Sequence, residues 1–127
     1  MPSIKLHRII YYDLKNKTSE DFFFIKEENA KAFYDEKIKE LSKFEKLEIS
    51  DKSTTIDQYQ IDGNYYVLCD KNQYNVNCFY DKTFVDKEDA EEELRKYNKW
   101  LVEQPFGYTY YLSSIKVKDV NEAWPYE

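Results

Sequence analysis

The sequence predicts a single α+β domain over residues 1–127, with a mainly antiparallel sheet, the order ββα-βββ-αβ and two amphipathic helices on one face. Short runs rich in Tyr, Phe, Ile and Val alternate with turn-forming residues, which is typical of strands joined by hairpins. Only two segments carry apolar residues at helical spacing, and each follows a strand directly. Few helices among several strands favour an antiparallel sheet with the helices packed against it.

The first third of the chain predicts two strands and a helix. Residues 4–12 and 21–25 are apolar and β-prone, and the polar residues 13–19 between them suit the loop of a hairpin. A helical stripe then runs from Glu27 to about Phe44. Its apolar members are Ala30, Phe33, Tyr34, Ile38, Leu41 and Phe44. Lys26 precedes this helix and is a poor capping residue.

The middle of the chain predicts a three-stranded meander. Residues 46–54 are polar and predict a loop, and residues 55–61 alternate weakly as a strand. Asp62-Gly63-Asn64 is the clearest turn, because Gly accepts the positive φ of a tight hairpin. Residues 65–69 and 74–80 then form the partner strands, with a turn between them. That turn would place Cys69 opposite Tyr74 and away from Cys78, so no disulfide is expected.

The second helix is predicted to begin after Val85, with Asp86 as a good capping residue. Glu91 with Arg95, and Glu92 with Lys96, are spaced for ion pairs on the helix surface. The buried face is predicted to carry Ala90, Leu94, Tyr97 and Leu101. Residues 104–107 end the helix, and residues 108–118 predict a final strand.

The strand-to-helix junction at residues 84–90 has an echo 60 positions earlier, at residues 24–30. Phe84 matches Phe24, Glu88 matches Glu28 and Ala90 matches Ala30. Two explanations remain open. Either the chain has an internal duplication, or two unrelated strand-to-helix junctions have similar sequences because they satisfy the same local physical requirements.

Composition excludes several classes of function. The net charge of −6 and pI of about 4.9 disfavour non-specific binding to phosphate backbones. Two Cys residues are too few for a disulfide scaffold or a zinc site, and two isolated Gly residues supply no phosphate-binding loop, so no metal or cofactor is expected. No apolar run approaches the length of a bilayer-spanning helix or a signal peptide, which predicts a cytoplasmic protein with no membrane contact.

The sequence shows no catalytic set. His7 is its only histidine, and no nucleophile pattern accompanies it. A small enzyme with a dispersed site around His7 is one alternative hypothesis. An RNA-binding sheet that stacks bases on its 13 Tyr and 8 Phe residues is another, although the basic rim of such a sheet is missing.

Residues 86–93 place six carboxylates in eight positions, and this is the sequence's main candidate site. Acidic residues here complement the helix dipole, and they also provide a surface for a Lys- and Arg-rich protein. A calcium loop is not indicated, because a helix lacks its glycine turn and alternating ligands. The predicted contact residues are Asp86, Glu88, Asp89, Glu91 and Glu92, with Trp124 and Tyr126 as further anchors.

These features give the leading hypothesis, a non-enzymatic acidic protein-binding module. Its partner would be a protein with a basic surface, such as an enzyme that handles nucleic acid. A phage anti-defence protein of the anti-CRISPR kind and a toxin immunity protein are two examples of this class. Direct nucleic-acid binding is not expected, and the oligomeric state is left open.

Overall fold

The computed structural model describes residues 3–55, 60–71, 77–105 and 109–123. Within them lie two helices, seven strand segments and one terminal helical turn at Val120–Ala123. The first half contains β1 (Ser3–Asp13), β2 (Thr18–Phe24), α1 (Glu27–Ile38), β3 (Glu45–Ile49) and β4 (Lys52–Thr55). The second half contains β5 (Asn64–Lys71), β6 (Asn77–Phe84), α2 (Lys87–Val102) and β7 (Tyr111–Lys116).

β3 and β4 are two parts of one interrupted strand. Both run antiparallel to β1 in a single continuous register, with Ile9 opposite Ile49 and Leu6 opposite Lys52. Between them the Ser50 N–H donates to the Arg8 carbonyl at 2.8 Å. When this strand is counted once, the described elements follow the predicted order ββα-βββ-αβ, and the α+β prediction is confirmed.

The sheet consists of two antiparallel three-stranded units, β2-β1-β3 and β6-β5-β7. Each unit has the order ββαβ along the chain, and each helix packs against its own unit. The two halves of the molecule therefore repeat the same arrangement of elements. Such a repeat extends the echo found in the sequence from two junctions to two whole units.

Two parallel seams join the units into a closed, barrel-like sheet. At the first seam, Thr55 of β4 pairs with Lys82 of β6. At the second, Phe23 of β2 pairs with Val117, and the Lys118 N–H donates to the Phe23 carbonyl at 2.9 Å. Each outer strand of one unit thus meets an outer strand of the other, which covers edges that would otherwise be exposed.

The apolar side chains divide into an inner core and two outer cores. The inner core fills the space between the units, and it comprises Ile4, Leu6, Phe23, Tyr65, Val67, Ile115, Val117 and Val120. α1 covers the first outer core, around Ile9, Phe24 and Leu47. α2 covers the second with Ala90, Leu94 and Tyr97. Both helices consequently lie on the outer face of the curled sheet. α2 packs there through Ala90, Leu94 and Tyr97, which belong to its predicted apolar stripe.

The two strand-to-helix junctions have the same backbone geometry and different caps. Lys26 has φ −92° and ψ 129°, and Asp86 has φ −94° and ψ 124°. The Asp86 carboxylate accepts the Glu88 N–H at 2.9 Å. Lys26 forms no side-chain cap bond, and the buried carboxylate of Asp119 serves that junction from the other end of the chain. It accepts from the Ile25 N–H at 2.7 Å, the Lys26 N–H at 2.9 Å and Asn29 Nδ2 at 2.8 Å.

The first helix ends earlier than its apolar spacing predicts, at Ile38 instead of Phe44. Ser42 and Glu45 form local bonds that compete with helical ones, since Phe44 N donates to Ser42 Oγ and Ser42 N donates to Glu45 Oε1. Ile38 and Phe44 are accordingly exposed. The prediction that these two residues belong to the buried stripe is wrong.

The prediction for residues 46–54 is also wrong, because β3 and most of β4 occupy this segment. Of the side chains of β3, only Leu47 is buried, so the strand looks like a loop in the sequence. The predicted strand at residues 55–61 and the start of that at 74–80 lie largely outside the described residues.

The meander is a further correction, since β5 lies between β6 and β7 and does not pair with β4. Tyr65 and Val67 of β5 pack with Ile115 and Val117 in the inner core, and periodicity alone cannot reveal that long-range pairing. The Gly63 turn is present, with φ +69°. A Cβ at Gly63 would lie 2.4 Å from the Val117 carbonyl oxygen. Cys69 pairs with Phe79, and Cys78 pairs with Asp70, so the predicted position of Cys69 opposite Tyr74 is wrong.

Candidate functional site

The acidic residues predicted from the sequence lie together on the first two turns of α2. Asp86, Glu88, Asp89 and Glu92 are exposed, and Glu91 is half-buried. The Asp86 carboxylate has a structural role as well, because one of its oxygens caps the helix at Glu88. The remaining four carboxylates project from a rigid element with a defined spacing.

Lysines neutralise only part of this acidic surface. Lys87 lies 3.9 Å from Glu91, and Lys96 lies 3.4 Å from Glu92, which confirms the second of the two predicted helical ion pairs. Glu91 pairs with Lys87 instead of Arg95. In the described ranges neither Glu88 nor Asp89 takes part in an ion pair. Glu88 and Asp89 therefore contribute to the net negative charge of the surface without a neutralising partner among the described residues.

A groove of about 330 Å³ runs between this end of α2 and the end of β6. Its walls include the carboxylates of Asp86, Asp89, Glu92 and Glu93, and Thr83, Phe84 and Val85 lie at the β6 side. Lys82 and Lys96 also line it. This groove is mainly polar, and its carboxylates suit the charged head of an Arg or Lys side chain.

Trp124 and Tyr126, the two predicted aromatic anchors, lie outside the described residues. The exposed aromatic residue that the structure reveals on α2 is Trp100, whose residue exposure is 48%. Its ring stacks on Tyr97 with the centroids 5.7 Å apart. Sequence analysis missed Trp100, although a large aromatic residue outside the predicted apolar stripe of an amphipathic helix is a usable signal of an exposed contact.

His7 belongs to a polar contact at the break between β3 and β4. Its Nδ1 lies 3.2 Å from Asp51 Oδ1, and Lys5 Nζ lies 3.3 Å from Asp51 Oδ2. Cys69 is in a separate network, where its thiol hydrogen-bonds the Tyr111 hydroxyl at 3.3 Å. Burial raises the pKa of that thiol, which disfavours the nucleophilic thiolate. In the described part of the chain, His7 and Cys69 form no hydrogen bond with each other.

A polar cluster inside the barrel is a second feature that sequence analysis missed. Arg8 binds Asp21 through Nε at 2.7 Å and through Nη2 at 2.6 Å, and both side chains are about nine-tenths buried. The guanidinium carbon lies 4.7 Å from the Phe79 ring centroid. Lys52 Nζ donates to the Phe79 carbonyl at 2.7 Å, and burial lowers the pKa of this lysine. The even positions of β1 are otherwise apolar around Arg8, and a charged residue in such a row is the sequence signal of a buried ion pair.

The tyrosines near α2 are packed between the helix and the sheet. Tyr97 contacts Tyr80 at 5.2 Å and Tyr110 at 5.1 Å between ring centroids. Tyr66 and Tyr80 pack against the outer core beneath α2. These rings stabilise the helix on its sheet, and α2 covers the face that a base-stacking platform would need to expose.

No helix in the described ranges has both the length and the apolar character needed to cross a bilayer. No group of three or more His, Cys, Asp or Glu side chains in those ranges is placed to hold a metal ion. Comparison of the chain with protein-family models, with curated proteins and with solved structures finds no match.

Proposed function

We propose that this protein is a non-enzymatic acidic binding module that docks on a basic surface of another protein. The observation that carries the proposal is the exposed row of carboxylates at the start of α2. Glu88 and Asp89 have no ion pair in the described part of the chain, and Asp89 and Glu92 line the adjacent groove. A rigid helix presents these charges with little ordering cost on binding.

Charge on the whole molecule supports the same proposal. A net charge of −6 attracts a basic partner over a distance of about one Debye length, roughly 8–10 Å at physiological salt. Complementary charge accelerates encounter and rejects acidic competitors. The groove beside α2 then gives a place in which an Arg or Lys side chain of the partner is held by carboxylates.

The partner class that fits best is an enzyme that handles nucleic acid. Its binding groove is lined with Lys and Arg residues that neutralise phosphates, and a row of carboxylates satisfies the same residues. Occupying that groove would inhibit the enzyme. An anti-CRISPR-type phage protein and an immunity protein against a nuclease toxin are the two forms that we propose for this function.

Affinity capture from the native host, or from cells that carry the defence system or toxin, tests the proposal. The captured partner is then titrated against the wild type and against a Glu88→Lys/Glu91→Lys/Glu92→Lys variant. A matched control reverses Glu27, Glu28 and Glu36 on α1, which changes the net charge equally at exposed positions. We expect the α2 variant to lose binding by at least about a hundredfold and the α1 variant to change it severalfold at most.

Competition identifies the partner surface. Nucleic acid that the partner normally binds should displace this protein, and inhibition of the partner should weaken as salt rises. Equal binding by the wild type and the α2 variant would contradict the proposal. A gel shift at low salt is a further check, since tight direct binding of RNA by this protein would favour the base-stacking alternative.

A further inference from the structure

We propose that α2 is also a self-association surface, on which two copies of this chain pack their α2 helices antiparallel about a two-fold axis. Glu88, Glu92, Arg95 and Lys99 are all exposed. They recur at i, i+4, i+7 and i+11, so they form one stripe along the helix. The stripe is acidic over its first half and basic over its second half, and it is therefore complementary to its own reverse.

The helix dipole does not account for this segregation. Its effect falls off within the first and last turns, whereas the acidic residues of α2 continue to Glu93 and, after Lys87, the basic residues resume at Arg95. α1 occupies the equivalent position in the first unit, and its charges are interleaved. Glu27 pairs with Lys31 at 3.7 Å, and Glu36 pairs with Lys39 at 4.0 Å. In the described ranges Arg95 and Lys99 form no ion pair, which leaves the basic end of α2 available.

One antiparallel register satisfies the charges of this stripe. When the two-fold axis passes between Glu93 and Leu94, Glu88 lies opposite Lys99 of the second copy. Glu92 then lies opposite its Arg95. The two-fold axis repeats each pair, as the self-complementary interface of a symmetric dimer requires.

The same register brings an apolar anchor to a groove. Trp100 and Val102 are exposed at the basic end of α2, by 48% and 74% of the residue surface. In this register Trp100 lies at the level of residue 87 of the second copy, on the side of α2 where Asp89 lines the groove. There its ring would contact Phe84 and Val85, the apolar residues of that groove. Each copy thus supplies one anchor and one groove.

This dimer would cover the acidic surface that we propose for partner binding. A basic partner would then displace the second copy, which lowers its apparent affinity at high protein concentration. The dimer does not depend on the proposed function, because purified protein alone tests it. If the protein is a monomer that binds a basic partner, the dimer inference is wrong and the proposed function stands. If it is a dimer that binds no basic partner, the dimer inference stands and the proposed function is wrong.

Sedimentation velocity of the purified full chain tests the dimer at about 20 mM and about 500 mM salt, where screening differs severalfold in range. We expect a dimer at low salt that dissociates at high salt. The acidic-end variant Glu88→Lys/Glu92→Lys and the basic-end variant Arg95→Glu/Lys99→Glu should each be monomeric. An equimolar mixture of the two should form a one-to-one heterodimer, because the reversed charges again match.

Two more variants complete the test. Trp100→Ala should raise the dimer dissociation constant by at least about tenfold, as loss of an interface Trp does. The matched control Glu28→Lys/Glu36→Lys on α1 should dimerise as the wild type does. Circular dichroism checks that each variant is folded, and the neutral pair Glu88→Gln/Glu92→Gln replaces a reversal variant that is not. A monomeric wild type at low salt, or a mixture that stays monomeric, overturns the proposal.

Discussion

Arg8 and Asp21 show how a single pair of residues organises the interior of the barrel. Their charges are paired at 2.6–2.7 Å and are about nine-tenths buried, so each compensates the cost of burying the other. We predict that Asp21→Asn or Arg8→Met alone lowers the free energy of unfolding by about 3–5 kcal/mol. Urea denaturation measures the loss. The double variant Arg8→Met/Asp21→Leu should recover much of it, and single variants as stable as the wild type would refute the prediction.

The two cysteines should differ strongly in reactivity. Cys69 is fully buried, its thiol is hydrogen-bonded to Tyr111, and burial raises its pKa, whereas Cys78 is exposed. We predict that a thiol reagent modifies Cys78 rapidly and modifies Cys69 only after denaturation. Mass spectrometry of partly labelled protein gives the order. Rapid modification of Cys69 in the folded wild type, or in a folded Cys78→Ser variant, would contradict the buried position of Cys69.

Tyr11 and Glu45 should couple stability to pH at both ends of the scale. The Tyr11 hydroxyl donates to the Glu45 carboxylate, which raises the pKa of Tyr11 to about 12 and lowers the pKa of Glu45. The raised tyrosine pKa makes stability fall as pH rises from about 10 to 12, because only the unfolded chain has lost its proton there. The lowered carboxylate pKa makes stability fall as pH drops below about 4.5. Urea midpoints across this range should show both losses, and Tyr11→Phe should reduce them.

At the scale of elements, the two helices differ in their caps, and this difference predicts opposite effects of substitution. Asp86→Ala removes the bond to the Glu88 N–H and should lower the free energy of unfolding by about 0.5–2 kcal/mol. Lys26→Ser supplies a cap that α1 lacks and should raise it by about 0.5–1 kcal/mol. Urea denaturation of both variants gives the comparison. A destabilised Lys26→Ser variant would indicate that the Asp119 carboxylate already meets every need of this junction.

Elements with local signals were predictable, and those that depend on distant partners were not. α2 was predicted closely because Asp86, Ala90, Leu94 and Leu101 specify its start and its buried face within 16 residues. β3 and β4 were missed for two reasons. β3 buries only Leu47 among its side chains, and both strands are defined by hydrogen bonds to β1, which is distant in the sequence. The exact neighbours of β5 depend on contacts with residues about 50 positions away.

The candidate site shows the same division between local and distant information. Its acidic residues lie on α2 where the sequence placed them, since helix position follows from local spacing. Trp100 was missed because a stripe analysis looks for buried residues, and Trp100 lies on the outer side. Arg8 and Asp21 were missed because their pairing requires the register between β1 and β2, in which Ile10 faces Asp21 and Arg8 faces Phe23.

At the scale of the whole molecule, two parallel seams hold two similar units together. β4 meets β6, β2 meets the segment after β7, and the inner core contains side chains of both units. Neither unit can expose its inner face without losing that core, so we predict one cooperative unfolding transition. Tyrosine and tryptophan fluorescence and far-ultraviolet circular dichroism should give coincident urea curves. Two separated transitions would show that the units are independently stable.

Asp119 links the start of α1 to a segment 94 residues later in the chain. On the ribosome, at about 5–20 residues per second, this carboxylate is synthesised roughly 5–20 s after Ile25. During that interval the first unit has no seam partner for β2 and no clamp at its helix. The nascent first half therefore emerges with an uncovered edge on β2. Chaperones that bind exposed strand edges should bind this chain most strongly before Asp119 is synthesised.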